Sequence, residues 1–506
     1  MFKGHPKGLI PAALANMGER FGFYTMMAIL VLFLQAKFGL SGPNAGIIYG
    51  AFYFSIYFLA LVGGIIADRL QNFKGTIMVG LIMMASGYVI LAIPTPTPVS
   101  NVPFFLTVTI IGLFVIAFGN GLFKGNLQAL VGQMYDNEKY GKMRDSGFAL
   151  FYAFINIGAI FAPLAAVGIR NWWLERNGFS YDASLPEQCH TYLNGLMSED
   201  SVNRYQEFAE KAAGGSVTDL TGFSNDYLNI FNTGFHYAFG IAIIAMAISF
   251  VVYMMNKKSF PNPKGSTKGV EITDEIKMEA KEVKQRMYAL LAVFGVVIFF
   301  WFSFHQNGLT LTFFARDYTV LKIGTYEFSA EIFQSMNPFF VVFLTPIIVG
   351  LFGWLRARNM EPSTPKKIAI GMGIASIAFV VMVIGSIGLP LYSSISSAAG
   401  GIPLVDAQKV SPYLLLGTYF ILTVAELFIS PMGISFVSKV SPPQYQGLMQ
   451  GGWLGATALG NGLLFIGAIL YDSIPIWMTW GIFVVATAIS MFTIIFMIKW
   501  LERVAK

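Results

Sequence analysis

The sequence predicts an all-α membrane protein with twelve transmembrane helices in two six-helix bundles. Of its 506 residues, 55% are hydrophobic and 12% are charged, and this charged share is about half that of soluble proteins. The apolar residues also gather into runs of roughly 20 or more, each long enough to cross the ~30 Å hydrocarbon core as a helix. The short alternating segments of an outer-membrane barrel are not found.

Charged connections and Gly- or Pro-containing segments separate the apolar runs and set the expected spans. The first run contains Glu19 and Arg20 and continues past them, so we expect a retained helix rather than a cleaved signal peptide. A long charged connection in the middle divides the helices into two sets of six. The predicted spans are 11–36, 44–67, 75–93, 103–132, 146–169, 232–255, 288–314, 329–355, 367–389, 412–436, 446–470 and 475–499.

Lys and Arg residues are divided unevenly between the two sides of the predicted membrane. The pieces on the side of the N-terminus carry 23 of them, and the opposite loops carry 8. This asymmetry predicts that both termini are cytoplasmic, and the compact length without a eukaryotic-style targeting segment favours a bacterial inner membrane. Anionic lipid explains the net charge of +6, so no nucleic-acid partner is expected. The single Cys189 excludes an internal disulfide.

Two polar segments are expected outside the membrane. Residues 170–231 are predicted to form an extracytoplasmic insertion between helices five and six, with a short helix that starts near 198–200 and includes 204–211. Residues 257–286 are predicted to be a cytoplasmic linker, in which apolar residues between Ile272 and Val283 recur at near-helical spacing among Lys and Glu. That pattern is typical of an amphipathic helix along the membrane interface. The N-terminal bundle then comprises 1–169 and 232–256, and the C-terminal bundle 287–506.

Ionisable residues within the predicted spans mark the candidate transport pathway. Each such group near the membrane centre costs at least about 2.5 kcal/mol on insertion scales, so these groups usually line a cavity and pair. Two carboxylates and two cations balance, which leaves a histidine as the group able to titrate near neutral pH. An ion pair that only holds helices one and four together is an alternative. The five residues are Glu19, Arg20, Lys124, His305 and Glu426.

Aromatic and amide side chains accompany these charges. Tyr and Trp on transmembrane helices are more often packing or interface residues, but beside central charges they suit a ligand with an amine, a carboxylate and variable apolar groups. We find no Ser/His/Asp grouping, metal-ligand cluster or phosphate-binding loop in the sequence, so neither an enzyme nor a cofactor or metal is predicted. The accompanying residues include Tyr24, Tyr53, Tyr57, Tyr152, Asn156, Trp301, Gln306, Asn307, Asn337 and Ser430.

Several motifs carry a resemblance to a known family. Residues 63–69 (GGIIADR) resemble the helix 2–3 loop motif of the major facilitator superfamily, and residues 119–126 (GNGLFKGN) are more specific. Together they resemble the proton-dependent oligopeptide transporter family, and this resemblance covers almost the whole chain apart from 170–231. It implies the major facilitator superfamily fold. Further matches are Phe151-Tyr152 through Asn156, Gly158 and Pro163; Phe300-Trp301; Asn337-Pro338; Ala425-Glu426-Leu427 with Ser430-Pro431; and Gly447 to Trp453.

The resemblance also implies roles for the matching positions. The residues expected at the peptide backbone and carboxylate are Tyr24, Tyr57, Lys124, Tyr152 and Asn156. Those expected at the amino-terminal and side-chain pockets are Trp301, Asn337, Glu426 and Ser430, and Trp453 is added to the substrate-binding set. The residues expected at the cytoplasmic gate are Gly64, Asp68 and Arg69. Glu19, Arg20, Lys124, His305 and Glu426 are expected to form ion pairs or couple transport to protons.

Three positions depart from the family pattern. Asn16 stands where the helix-one motif has its first Glu, Met27 where an Arg is expected, and His305 where an acidic residue is expected. The excess positive charge of the first bundle is expected to hold a substrate carboxylate without the missing Arg. We hypothesise that His305 or Glu426 is the proton switch, whose protonation shifts with a neighbouring cation or a substrate amine.

The leading functional prediction is proton-coupled import of di- and tripeptides by alternating access around a midplane site. The proton gradient is expected to be the energy source and the protein to act as a monomer. The first alternative is a family relative that carries another amphoteric or anionic solute, with or without proton coupling, which the missing Glu and Arg favour. The second is a membrane receptor or scaffold that retains the fold but does not transport, and a flux measurement separates it from a carrier.

Overall fold

The structure is a computed structural model that describes residues 4–70, 72–261, 280–442 and 445–504. Within this part of the chain, twelve helical segments are long and apolar enough to cross a membrane, which confirms the predicted number. The α-helices are α1 (Leu9–Phe38), α2 (Gly42–Leu70), α3 (Phe73–Ala92), α4 (Val102–Met134), α5 (Arg144–Arg176), α6 (Leu185–Leu193), α7 (Glu199–Ala213), α8 (Leu220–Met255), α9 (Ala280–Phe304), α10 (Thr310–Tyr318), α11 (Met336–Ala357), α12 (Thr364–Ser386), α13 (Tyr392–Ile395), α14 (Pro412–Val440), α15 (Gln446–Gly462), α16 (Leu464–Ser473) and α17 (Ile476–Val504).

Two of the spans are interrupted, and a third begins with a 3₁₀ turn. A 3₁₀ turn at His305–Gly308 separates α9 from α10, and Leu463 separates α15 from α16. The eighth span begins with a 3₁₀ turn at Ala330–Ser335, which leads into α11. Interrupted membrane helices leave backbone groups without their usual helical partners, and such breaks are found where a helix lines a site.

The polar segment between α5 and α8 is shorter than predicted, because both flanking helices extend into it. α5 continues to Arg176, and α8 already begins at Leu220, where the Asp219 side chain accepts a hydrogen bond from the Gly222 amide. We call residues 177–219 the insertion. It contains α6 and α7, and α7 confirms the short helix expected there.

The first bundle packs around α1, which contacts α5 and α8, while α2 and α3 both pack on α4. The α2–α4 contact is close: a Cβ atom on Gly63 would lie 2.1 Å from the carbonyl oxygen of Gly121, so glycine is required there. In the second bundle, α12 packs on α14 and α17, and α9 packs on α15 and α17. The bundles meet where α2 contacts α15 and α16, and where α5 contacts α11 and its preceding turn.

The two ends of the helical region are named by what lies there. The insertion end carries residues 177–219 and a short antiparallel hairpin of β1 (Lys322–Ile323) and β2 (Tyr326–Glu327). The terminal end is where α1 begins and α17 ends. Most of the predicted interfacial linker helix, including Ile272 and Ile276, lies outside the described residues.

Candidate functional site

Glu19, Arg20 and Asn120 form a buried polar cluster between α1 and α4. Arg20 Nε and Nη2 donate hydrogen bonds to the two carboxylate oxygens of Glu19 at 2.5 and 2.6 Å, and Asn120 Nδ2 donates to Glu19 Oε1 at 2.6 Å. Glu19 is wholly buried. The ion pair is therefore formed within α1. The link to helix four is made by the Asn120 amide rather than by a second charge.

Lys124 lies one turn beyond Asn120 on α4. Its Nζ atom is 4.5 Å from the centre of the Tyr57 ring, a cation–π arrangement that contributes about 0.5–2 kcal/mol. Lys124 makes no ion pair with any described side chain. The positive charge of Lys124 is therefore available to an anionic group of a ligand.

Glu426, on α14 in the second bundle, is held by neutral groups. Asn337 Nδ2 donates to Glu426 Oε2 at 2.8 Å and to Thr423 Oγ1 at 3.1 Å. Glu426 also forms no ion pair within the described residues. An amide donor orients a carboxylate without neutralising it, so Glu426 can still pair with a cation or take up a proton.

Three tyrosines of the first bundle share this site with Glu426. Its carboxylate acts electrostatically on Tyr24, Tyr57 and Tyr152, which places residues of both bundles around one region. The Tyr152 side chain is 50% exposed, although it lies well inside the span of α5. Asn156 Nδ2 donates to the Tyr152 carbonyl at 3.1 Å, so this part of the Asn156 amide is engaged by its own helix.

His305 lies at the break between α9 and α10. Its Nδ1 atom is 2.5 Å from Asn461 Oδ1, and its ring stacks on Trp301 at a centroid distance of 4.8 Å. The ring is also 4.7 Å from that of Tyr53, which belongs to the first bundle. A neutral His305 that donates from Nδ1 to the Asn461 amide oxygen keeps Nε2 as an acceptor.

Several buried polar atoms of these clusters have no hydrogen-bond partner among the described residues. Buried polar groups are nearly always paired, and unpaired ones are expected where a ligand or water supplies the partner. Five of the eleven such atoms in the described part of the chain belong to these clusters or to residues of the same helices, where a ligand or water can supply the partner. They are Asn16 Nδ2, Asn120 Oδ1, Trp301 Nε1, Ser430 Oγ and Asn461 Nδ2.

Trp453 and the predicted gate residues make contacts of a different kind. A Cβ atom on Gly433 would lie 1.9 Å from the Trp453 ring, so Trp453 packs closely against α14 and is 4% exposed. The predicted gate residues, Gly64, Asp68 and Arg69, lie in the last turns of α2 at the terminal end, where Asp68 and Arg69 are exposed.

A second ionic cluster, absent from the predicted set, joins the bundles at the insertion end. Arg170 of α5 forms an ion pair with Glu331, which lies in the turn before α11, and both side chains are wholly buried. Arg170 Nη2 also donates to Ser329 Oγ at 2.9 Å and to Asn171 Oδ1 at 3.0 Å. Arg170 lies in the predicted insertion 170–231 and Glu331 lies in the predicted span 329–355, but neither belongs to the predicted site residues.

Further hydrogen bonds between the bundles gather at the same end. Arg316 Nη1 donates to Gln35 Oε1 at 2.7 Å, while its other nitrogens bind Asp317. Gln334 Nε2 donates to the Ala28 carbonyl at 3.2 Å. These contacts connect the second bundle to α1, so the bundles are held together at the insertion end.

The insertion helix α6 contacts both bundles. His190 Nε2 is 2.8 Å from the Ala36 carbonyl oxygen of α1, and burial lowers the pKa of this histidine, which favours a neutral ring that donates from Nε2. On the other side, Glu187 accepts hydrogen bonds from Tyr392 Oη at 3.1 Å and Ser396 Oγ at 2.6 Å. The insertion therefore bridges the bundles at this end.

Comparison with known proteins identifies relatives along the whole chain. A model of the POT family (PTR2) matches residues 74–276 and 266–479. The "Uncharacterized transporter YclF" of Bacillus subtilis is 28% identical, over 95% of this chain and 91% of the relative. The "Peptide transporter YePEPT" of Yersinia enterocolitica is also 28% identical, over 91% of this chain and 87% of the relative.

Solved structures agree in fold. A peptide transporter POT in complex with sulfate has a TM-score of 0.74 at 22% identity, over 100% of this chain and 96% of that one. A POT family transporter in complex with 5-aminolevulinic acid has a TM-score of 0.72 at 19% identity, over 100% and 98%. These likenesses confirm the major facilitator superfamily fold. The family consists of transporters rather than enzymes, and the twelve spans make the protein multi-pass. The chain belongs to the POT family of membrane transporters.

Proposed function

We propose that the protein imports di- and tripeptides by proton-coupled alternating access. One observation carries this proposal: the site between the bundles has a cation on one side, Lys124, and a carboxylate on the other, Glu426, and neither has an ion-pair partner among the described residues. A short peptide has a carboxylate and an amine at opposite ends of its main chain, so each end meets an opposite charge. The names of relatives, which include a peptide transporter and a dipeptide and tripeptide permease, favour the same substrate class.

Sidedness follows from the distribution of Lys and Arg. With both termini in the cytoplasm of a bacterial cell, the insertion end faces outwards. The contacts between the bundles at that end then close the site to the outside, whereas Tyr152 lies nearer to the other end of α5, eight residues after the start of that helix. Import requires these contacts to separate in the opposite state, while the site residues remain near the midplane.

We assign coupling to Glu426 and His305, the two titratable side chains of the second bundle whose hydrogen-bond partners among the described residues are amides. An ionised Glu426 binds the peptide amine, and its protonation removes that attraction, so proton binding and peptide release become linked. His305 lies next to Tyr53 of the first bundle and can exchange a proton through Nε2. The proton gradient is the energy source in this scheme, and the protein functions as a monomer without a cofactor.

The direct test is uptake of labelled trialanine into proteoliposomes, with and without an imposed inward proton gradient. Concentrative uptake that needs the gradient and stops when a protonophore is added is the expected result. Gradient-independent counterflow would mean that coupling is lost together with the acidic residues replaced by Asn16 and His305. The absence of flux with any di- or tripeptide would reject peptide transport, and binding without flux would favour a receptor.

A second candidate is transport of a different amphoteric solute. Met27 is buried and apolar where the family has a cation, which leaves fewer positive groups for a peptide carboxylate. A POT family transporter has been solved with 5-aminolevulinic acid, which also carries an amine and a carboxylate. Competition of unlabelled 5-aminolevulinic acid and nitrate against trialanine uptake separates the two candidates, because a peptide carrier prefers trialanine.

A further inference from the structure

A cavity of about 450 Å³ lies at the insertion end, apart from the central site. This volume falls within the roughly 300–1,000 Å³ of ordinary ligand sites. One wall comes from α7 and residues 180–184, and the other comes from the β1–β2 hairpin and residues 404–409. We call this cavity the vestibule. Because its two walls belong to different bundles, its shape depends on how the bundles are arranged at this end.

Each wall of the vestibule carries charges of both signs. Glu175 and Lys211 lie on the first-bundle side, and Glu327 and Lys409 lie on the second-bundle side. None of these four forms an ion pair with another described side chain. A molecule with separated positive and negative ends therefore finds a partner for both ends, whichever way it lies across the cavity.

An apolar recess continues from the vestibule. A second cavity of about 360 Å³ shares Tyr181, Ala183 and Arg316 with it, and residues such as Leu196 and Phe231 line its wall. At the junction, the buried Tyr181 hydroxyl has no hydrogen-bond partner among the described residues. A buried hydroxyl is normally paired, so this atom is suited to a polar group of a ligand. The recess is suited to an apolar side chain.

The floor of the vestibule covers the ion pair that joins the bundles. Asn171 and Ser329 line the cavity, and Asn171 Nδ2 donates to Ser329 Oγ at 3.3 Å. Both also accept hydrogen bonds from Arg170, which pairs with Glu331. Separation of the bundles at this end would break the Asn171–Ser329 hydrogen bond and the ion pair below it, and the floor of the vestibule would open there.

We propose that the vestibule is a second binding site, which receives short zwitterionic peptides before they reach the central site. The proposal rests on the function proposed above and adds a second binding site for the same substrate. The peptide amine binds at Glu175 or Glu327, its carboxylate at Lys211 or Lys409, and an apolar side chain enters the recess beside Tyr181. When the bundles separate at this end, the walls move apart and the peptide is released towards the central site.

The first test is photo-crosslinking of the full chain in lipid nanodiscs with the dipeptide p-benzoylphenylalanyl-alanine, followed by mass-spectrometric mapping. We expect labels in 180–184 or 404–409, displaced by trialanine and not by N-acetyl-trialanine amide, which lacks both charges. The labels should persist in Glu426→Gln, because the vestibule does not include that residue. Labels confined to the central site, or vestibule labels that trialanine does not displace, would overturn the proposal.

The second test compares two charge-matched double variants in trialanine uptake. Lys211→Gln with Lys409→Gln is expected to raise KM roughly threefold with little change in kcat, as is typical of exposed ion pairs. Arg176→Gln with Lys258→Gln removes two positive charges outside the vestibule and should leave KM unchanged. Tyr181→Phe removes only the unpaired hydroxyl and should raise KM without loss of folded protein. Equal KM values in both doubles would contradict the proposal.

The outcomes also separate the two proposals. Trialanine uptake by the unaltered protein, without displaceable labels in the vestibule, would reject the vestibule alone and leave peptide transport intact. Failure of trialanine both to be taken up and to displace the photoreactive dipeptide would reject both proposals together.

Discussion

Two carboxylates of the second bundle, the buried Glu331 and the partly buried Glu426, are held in different ways. Glu331 pairs with Arg170 of the other bundle and is wholly buried at the insertion end. Glu426 lies in the middle of its helix and receives a hydrogen bond from the neutral Asn337 amide. The charge of Glu331 is neutralised by a guanidinium group, whereas the amide that binds Glu426 orients the carboxylate without neutralising it.

This difference indicates which charge holds the structure together and which is available for chemistry. Removal of one partner from a buried ion pair leaves an uncompensated charge, which is strongly destabilising. A carboxylate with only an amide partner can exchange that environment for a ligand amine or a proton at smaller cost to the fold. We therefore expect Glu331 to affect mainly stability and Glu426 to affect mainly transport.

The largest effect is expected from Arg170→Ala. It leaves Glu331 buried without its cation and should lower the free energy of unfolding by roughly 3–5 kcal/mol. Thermal unfolding in detergent measures this loss. The double variant Arg170→Ala with Glu331→Gln should be more stable than Arg170→Ala alone, because no unpaired carboxylate remains. Additive effects of the two substitutions would show that the pair does not act as a unit.

Glu426→Gln is expected to act on transport instead. The amide retains the size of the side chain but loses the charge, so peptide uptake should fall at least about tenfold, the size expected for loss of a charge-assisted hydrogen bond. Thermal unfolding should change little, in contrast to Arg170→Ala. Proteoliposome uptake with a matched Glu331→Gln control checks this. If Glu426→Gln and Glu331→Gln reduced uptake equally, the proposed division between a transport role for Glu426 and a stability role for Glu331 would be wrong.

His305→Ala tests whether the second titratable group takes part in coupling. If His305 carries the proton, gradient-driven uptake should fall about tenfold, within the range of general acid–base effects. Peptide counterflow without a gradient should persist. His305→Gln provides a neutral variant that can still hydrogen-bond to Asn461. Intact proton-driven uptake in His305→Ala would exclude this residue and leave Glu426 as the proton switch.

The smallest effect is expected at Glu361, an ion-paired carboxylate outside the membrane spans. Hydrogen bonds from Arg356 and Lys367, each 2.6 Å long, lower the pKa of Glu361 to about 2. A lowered pKa contributes stability that is present above the unfolded-state pKa and is lost as pH falls through about 2. Glu361→Gln should lower Tm by no more than about 1 °C at pH 7, because such pairs are screened by solvent. The Tm difference between Glu361→Gln and the unaltered protein should shrink below pH 4.5. A Tm difference that does not change with pH would contradict the lowered pKa of Glu361.

The hydropathy pattern predicted which segments form transmembrane helices. It did not predict that charged residues at the helix ends can be buried. All twelve spans follow from apolar runs of sufficient length, because lipid requires each backbone polar group to be satisfied within a helix. The predicted first span ends at residue 36 and leaves Lys37 in a loop, since a charge usually ends an apolar run. In the structure it is 2% exposed and lies 3.0 Å from His236 Nε2. Helices that extend past the apolar run can bury such charges through contacts distant in sequence.

The candidate site was predictable where its members lie on recognisable motifs. Glu19, Arg20, Lys124 and Glu426 each belong to a motif of the family, and a charge within an apolar span is itself a signal. Of the partner residues, Asn337 and Tyr57 were predicted, whereas the roles of Asn120 and Asn461 were not. Asn120 and Asn461 are neutral amides in Gly-rich helices, and only the packing of the helices shows that one binds Glu19 and the other His305.

The short helix α6 is attached differently to the two bundles, and this difference indicates which bundle the insertion moves with. The insertion joins α5 and α8 of the first bundle through the chain itself, and His190 adds a hydrogen bond to α1. Its attachment to the second bundle runs through Glu187, which binds Tyr392, Ser396 and the Ala398 amide. A hinge motion at this end is therefore expected to leave the insertion with the first bundle. It would break the hydrogen bonds of Glu187 as well as the Arg170–Glu331 ion pair.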